Sequence, residues 1–150
     1  MVLEKLPVAG LDVESVWERL RSDPTAHLVD VRTRAEWTFV GVPDLSGLGK
    51  EPMLIEWQSF PENRPDPDFA STLDSELTTR GLGKATNLYF ICRSGARSLS
   101  AARAMAALGY SRCHNVNEGF EGPVRSDDPD RRHRGEVSGW KFAKLPWVQG

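Results

Sequence analysis

The chain has 150 residues, 39% of them hydrophobic and 27% charged, and a formal net charge of -2. That is about one domain's worth of ordinary globular composition. It argues against a general nucleic-acid binder, which carries a basic excess, and no run approaches the apolar length of a membrane span.

Residues 1–7 lack the basic-then-apolar order of a secretory signal. Two cysteines are too few for a disulfide framework, and the expectation is reduced thiols in the cytoplasm. There is no Cys-x-x-Cys and the three histidines are scattered, so no metal or other cofactor is expected. Val13, Val16, Trp17 and Leu20 recur at helical spacing, with Asp12 as N-cap. His27 to Val31 reads as a short strand, and Arg34 to Thr38 as a one- or two-turn helix. Phe39 to Val42 reads as a turn or short strand before Pro43. Met53 to Trp57 is strand-like, 61–67 is a proline-rich loop, and Asp68 to Leu77 is helical.

Asn87 to Ile91 is an uninterrupted apolar run and reads as a buried strand. Ser98 to Leu108 is rich in alanine, ends at Gly109 and reads as a helix capped by Ser98. Cys113 to Asn117 is a further strand, 118–123 a glycine-bearing turn, and 126–135 an exposed charged loop. Ser138 to Lys144 reads as a short helix, after which Leu145, Pro146 and Trp147 pin the tail to the body. Strands alternating with helices predict a parallel sheet covered on both faces, with sites at the carboxyl ends of the strands.

Cys92 is the residue on which function turns. It stands at a strand's carboxyl end, at the mouth of the loop Cys92-Arg93-Ser94-Gly95-Ala96-Arg97-Ser98, just before a helix. Loop N–H groups, the helix dipole and the charges of Arg93 and Arg97 all favour a thiolate there, and the thiolate is the nucleophile. A ring of N–H groups from residues 93–98 makes a nest for an anion, and Gly95 supplies the backbone freedom the curl needs. Arg93 is expected at the entrance, attracting an anionic donor. Arg97 is expected to pair with Asp30 or Glu36 and hold the loop's shape.

Several stretches together resemble the rhodanese-like, single-domain sulfurtransferase family. They are Leu28-Val29-Asp30-Val31-Arg32 with Glu36-Trp37, the Cys92–Ser98 loop, Asn115 to Gly122, and the tail Gly139-Trp140-Lys141 with Leu145-Pro146-Trp147. Many members carry Gly-His-Ile where this chain has Gly41-Val42-Pro43, which puts local packing or an access contact in question. The resemblance implies a three-layer α/β/α fold around a mostly five-stranded parallel sheet. It is taken as a single domain over 1–150, with a core of about 10–123 and a tail, 124–150, packing back.

The resemblance also implies a ping-pong sulfurtransferase. Cys92 takes a sulfane sulfur from a small anionic donor such as thiosulfate, becomes a persulfide, and yields the sulfur to a thiol, to cyanide or to a protein. Residues 93–98 form the anion loop, and Asp30, Arg32 and Glu36 support it. A monomer is the default state. The alternative is a module for protein recognition or sulfur relay. A phosphatase or arsenate reductase is less favoured: four residues separate Cys92 from Arg97, and the related phosphatase loop is one residue longer and wider. Cys113 reads as a small core residue, Glu118 and Glu121 as loop-shaping, and the histidines as structural. Trp140 and Trp147 are expected as core anchors, and Phe120 or Trp57 as a pocket wall.

Overall fold

In the computed structural model, residues 8–59, 64–122 and 139–149 are described. The strands are β1 (Ala9–Leu11), β2 (His27–Asp30), β3 (Val42–Pro43), β4 (Met53–Leu54), β5 (Leu88–Ile91), β6 (Cys113–Val116) and β7 (Trp147–Val148). The helices are α1 (Val13–Ser22), α2 (Arg34–Phe39), α3 (Phe69–Thr79) and α4 (Ala96–Ala107). Five strands form one sheet in the order β1-β6-β5-β2-β4, every neighbouring pair parallel. The α/β/α architecture expected of the sequence is present.

All four residues of β5 are buried, so the strand has no solvent face. Its side chains still alternate. Leu88, Phe90 and then Cys92 join the cluster under α3 and α4, while Tyr89 and Ile91 join the one under α1 and the tail. Burial of Leu88, Phe90 and Ile91 contributes about 1.5–3 kcal/mol each, which makes β5 the firmest base in the fold for Cys92. Ala101 and Ala102 are fully buried, and their small side chains let α4 lie close on the sheet. Chain order reverses direction between β5 and β2, and in open parallel sheets ligands bind in the crevice outside such a switch point. Cys92 and the Asp30–Arg32 corner emerge there.

Asp12 caps α1, accepting from the Ser15 N–H at 2.7 Å, as the sequence indicates. Four details differ from expectation. β1 has no strand signal in Ala9-Gly10-Leu11; it exists because it pairs with β6, Ala9 opposite His114. β4 is shorter than 53–57, although Ile55 and Trp57 still donate to the carbonyls of Asp30 and Val31. Residues 140–144 form turns rather than a helix. Gly139 and Lys144 hold positive φ, and the N–H groups of Trp140 and Lys141 go to Gly119 and Phe120. Trp140 is fully buried, but Trp147 is 39% exposed, edge-on to Phe120 and under the Lys141 ammonium. The anchoring at 147 is by backbone, since β7 pairs with β3. That pairing sets Val42 opposite Val148, so the residue in the family's histidine position packs against the tail. The 126–135 loop and part of the 61–67 loop lie outside the described residues. No helix among the described residues is long and apolar enough to cross a membrane.

Candidate functional site

The geometry starts at the end of β5. Phe120 N–H donates to Cys92 O at 2.8 Å, and the N–H groups of Glu121 and Gly122 donate to Arg93 O at 3.0 and 3.1 Å. The turn after β6 thereby fixes both peptide planes that lead into the loop. Gly119 is required here: its φ is +68°, and a Cβ would meet Cys92 O at 2.5 Å. Gly95 is required too. Its φ is +112°, and a Cβ there would collide with Asn117 O.

Cys92 lies under the loop rather than on its rim, with 1% of its surface exposed. Gly95 N–H donates to Sγ at 3.1 Å, and Ser98 Oγ lies 3.2 Å from it. Among the described residues, Gly95 is the only one of the six expected amides that reaches Sγ. α4 begins at Ala96 with Gly95 as N-cap and no side-chain cap, so the first-turn N–H groups of Ala96, Arg97 and Ser98 are left without intrahelical partners. Ser98 is therefore not the cap. It sits in the first turn, fully buried, with Oγ 2.5 Å from Asn115 Oδ1. The Ser94 side chain makes no hydrogen bond among the described residues, and neither the Ser94 nor the Ala96 amide reaches Sγ. Asn115, which sequence reasoning missed, also donates from Nδ2 to Gly95 O at 3.1 Å. Its signal was there to read: an amide side chain in the strand that leads into the glycine-bearing turn.

Arg97 closes the loop as expected, and its partner is Glu36. Nη1 and Nη2 reach the two carboxylate oxygens at 2.7 and 3.0 Å, a bidentate clasp between α4 and α2. Glu36 is also bound by the Thr33 N–H and hydroxyl in a capping box. Burial pushes the Glu36 carboxyl up, but the hydrogen bonds and charge of Arg97 outweigh it and hold the group below the usual glutamate range. The Arg97 guanidinium is pulled down by burial and, more strongly, up by Glu36 and by its neighbours Cys92 and Asp30. A carboxyl depressed in the folded state stabilises at pH above its unfolded value and loses that stabilisation as pH falls through the folded one. The clasp should thus persist through the ordinary glutamate range and fail only below it. Thermal unfolding followed across the acid range should show this, and Glu36→Gln should flatten that acid dependence.

Among the described residues, the side chains of Asp30 and Arg32 make no hydrogen bond to the loop. They bind each other, fully buried, with Nε to Oδ1 at 3.0 Å and Nη2 to Oδ2 at 2.7 Å. Arg32 also donates to Gly41 O at 2.7 Å and lies over the Phe120 ring. Their support is indirect, because they hold the segment that carries α2 and Glu36.

Beside the loop lies a cavity of about 520 Å³ lined by Thr33, Ala35, Glu36, Phe39, Val40, Gln58, Arg93 and Arg97. Arg93 is exposed there and pairs with no carboxylate among the described residues. Neither Phe120 nor Trp57 lines this cavity: Phe120 is core on the opposite face of the sheet, and Trp57 packs edge-on against Phe69. Cys113 sits in register with Leu88, four residues back from Cys92 along the neighbouring strand, about 13 Å away. That excludes a disulfide between them. Burial pushes the Cys113 thiol up to about 12, so it behaves as a core residue.

A family model described as Rhodanese-like domain matches residues 12–125. An uncharacterized protein of Rickettsia rickettsii, the RP600 homolog, is 34% identical over 95% of this chain and 98% of its own length. A sulfurtransferase of Allochromatium vinosum is 28% identical, covering 75% of this chain and 85% of that protein. The crystal structure of Rv0390 from M. tuberculosis superposes with a TM-score of 0.81 at 40% identity, over 96% of this chain and all of that one.

Proposed function

We propose, from the premise that this chain belongs to the rhodanese-like domain family, that it is a sulfurtransferase working through a persulfide on Cys92. The Cys92 thiolate attacks the outer sulfur of a donor such as thiosulfate. A sulfur–sulfur bond to Cys92 forms, the donor's own sulfur–sulfur bond breaks, and sulfite leaves with the electron pair. A nucleophilic acceptor, cyanide or a thiol, then attacks the outer sulfur and frees the thiolate.

The single observation that carries this reading is the position of Cys92 Sγ. It is sealed from water, bound by Gly95 N–H, and set at the uncapped start of a twelve-residue helix. A persulfide is anionic and labile in water. The unused N–H groups at the start of α4 are the donors an added sulfur atom needs. Arg93, Arg97 and the cavity beside them would receive the donor.

Incubation with thiosulfate, followed by intact-mass measurement, tests this. We expect one added sulfur atom on Cys92, removed by cyanide with release of thiocyanate. No adduct and no thiocyanate would count against the thiosulfate reaction. Removing the free charge at the mouth should weaken donor capture more than chemistry. Arg93→Ala should raise KM for thiosulfate about 3- to 10-fold with kcat little changed, and the difference should shrink as salt is added.

A second reading, delivery of the sulfur to a protein acceptor, draws support from one feature. Phe39, on the cavity wall, is 76% exposed, and Trp147 and Val148 nearby are also exposed. A partner bound equally well by wild type and by Cys92→Ser, with no turnover of small donors, would favour it.

A further inference from the structure

We propose that Ser98 and Asn115 form a two-position hydrogen-bond switch on the Cys92 sulfur. Asn115 holds the Ser98 hydroxyl away from a neutral thiol and gives it up to an anionic sulfur. This rests on Cys92 as the reacting residue, and it assigns Asn115 a positioning role through Ser98.

The proton positions follow from which groups can only accept. Gly95 O is a carbonyl, so the Asn115 group 3.1 Å from it must be the amide nitrogen. Oδ1 then faces Ser98 Oγ, at 2.5 Å, and Oδ1 also only accepts. The single hydroxyl proton of Ser98 therefore lies between these two oxygens. Gly95 O, at 3.2 Å from Ser98 Oγ, is the poorer acceptor; it already receives Asn115 Nδ2 and the Leu99 N–H. Ser98 consequently presents lone pairs to Cys92 Sγ, 3.2 Å away.

Lone pairs suit a thiol, whose S–H can donate to Ser98. They do not suit a thiolate or a persulfide. Bulk water does not reach these groups to correct the mismatch, because Cys92, Ser98 and Asn115 are all buried. When the thiol ionises and its proton leaves to solvent, rotation about the Ser98 Cβ–Oγ bond turns the hydroxyl onto the sulfur without moving a heavy atom. The sulfur anion then has two donors, Gly95 N–H and Ser98 O–H, and Asn115 Oδ1 loses its own. The bond surrendered at Asn115 opposes the bond gained at sulfur, so Asn115 sets how readily the sulfur charges.

The charged groups on the elements that surround the site stay in place in the variants that test this. Those on the neighbouring elements are Arg97 with Glu36 from α4 and α2, Asp30 at the end of β2 with Arg32, Arg93 on the loop, and Glu118 and Glu121 in the turn after β6, none of which is substituted.

The test is a pH titration of thiolate ultraviolet absorbance, with Cys92→Ser subtracted and folding checked by circular dichroism. Cys113, pushed up to about 12, stays silent over the working range. Relative to wild type, Ser98→Ala should raise the midpoint by about one pH unit, since the anion loses a donor. Ser98→Thr keeps the hydroxyl and should leave the midpoint near wild type. Asn115→Leu frees the hydroxyl and should lower the midpoint by about half a unit. Opposite movements from two neighbouring buried substitutions are not produced by loosened packing. A midpoint that is unmoved or lowered in Ser98→Ala, or unmoved or raised in Asn115→Leu, overturns the switch. Should Asn115→Leu fail to fold, the Ser98→Ala and Ser98→Thr pair decides alone. No sulfur donor is present in this titration, so a failure of sulfur transfer and a failure of the switch are separate results.

Discussion

Cys92→Ser is expected to take up no sulfur from thiosulfate, release no thiocyanate, and lose at least about 10³-fold in transfer rate while staying folded. A serine hydroxyl is not ionised near neutral pH, so it becomes a nucleophile only where a base removes its proton. At this site Sγ has two polar neighbours among the described residues, Gly95 N–H and Ser98 Oγ, and neither is a base. A thiol can ionise to a nucleophile without a neighbouring base. The site offers nothing to a hydroxyl that must be given its charge. The fold should tolerate the change, since the same two neighbours can bond a serine oxygen and the loop is held from elsewhere, by Arg97–Glu36 and by the turn after β6. Intact-mass analysis after thiosulfate treatment, beside a thermal melt, measures both parts. Substantial thiocyanate from a folded Cys92→Ser protein would remove Cys92 from the mechanism.

Asp30→Ala is expected to be the most destabilising of the substitutions considered, at about 3–5 kcal/mol. That is a large share of the roughly 5–15 kcal/mol holding a typical domain together, and it should lower Tm by on the order of 10 °C. The Arg32 guanidinium is fully buried and leans on Asp30 for most of its hydrogen bonds. Among the described residues its Nη1 already has no partner, so removing the carboxylate leaves a buried charge held by Gly41 O and the face of Phe120. Asp30→Ala combined with Arg32→Leu should recover much of the loss, because the cost comes from the uncompensated charge more than from a favourable pair. The exposed Glu18–Arg21 pair on α1 gives the contrast: breaking it should leave the melting temperature nearly unchanged. Thermal melts of the wild type and these three variants measure the difference. Equal losses at the buried and the exposed pair would contradict the account of Arg32. Sulfur transfer should fall with Asp30→Ala as well, since Arg32 anchors Gly41, which follows the helix carrying Glu36.

Residues whose roles depend on chain neighbours were legible in the sequence. The apolar run ending at Ile91, the alanine-rich stretch after Gly95 and the glycine between them are enough to place Cys92 between strand and helix. Asp12 as a cap and the short helix expected over Arg34 to Thr38, observed over Arg34–Phe39, are local in the same way. Arg97 as a loop closer was also legible, but the choice of Glu36 over Asp30 was not. The two residues of the clasp lie 61 positions apart, and Asp30 is taken by Arg32, two positions away. β1 escaped notice because an edge strand of Ala-Gly-Leu draws its order from β6 rather than from its own residues. The 140–144 turns were misread because amphipathic spacing looks the same whether amides bond within a helix or to Gly119 and Phe120.

The sequence by itself determined that a cysteine follows a buried strand and precedes a helix, with two arginines and a glycine within the next five residues. Strand and helix periodicity and backbone freedom act over a few residues and leave their marks there. Only the tertiary structure decided that the sulfur lies beneath the loop, that one amide and one hydroxyl meet it, and that Asn115 competes for that hydroxyl. Those outcomes depend on how β6 and α2 are set against β5 and α4. Side chains far apart in the chain acquire a distance from one another only when the sheet and its layers close.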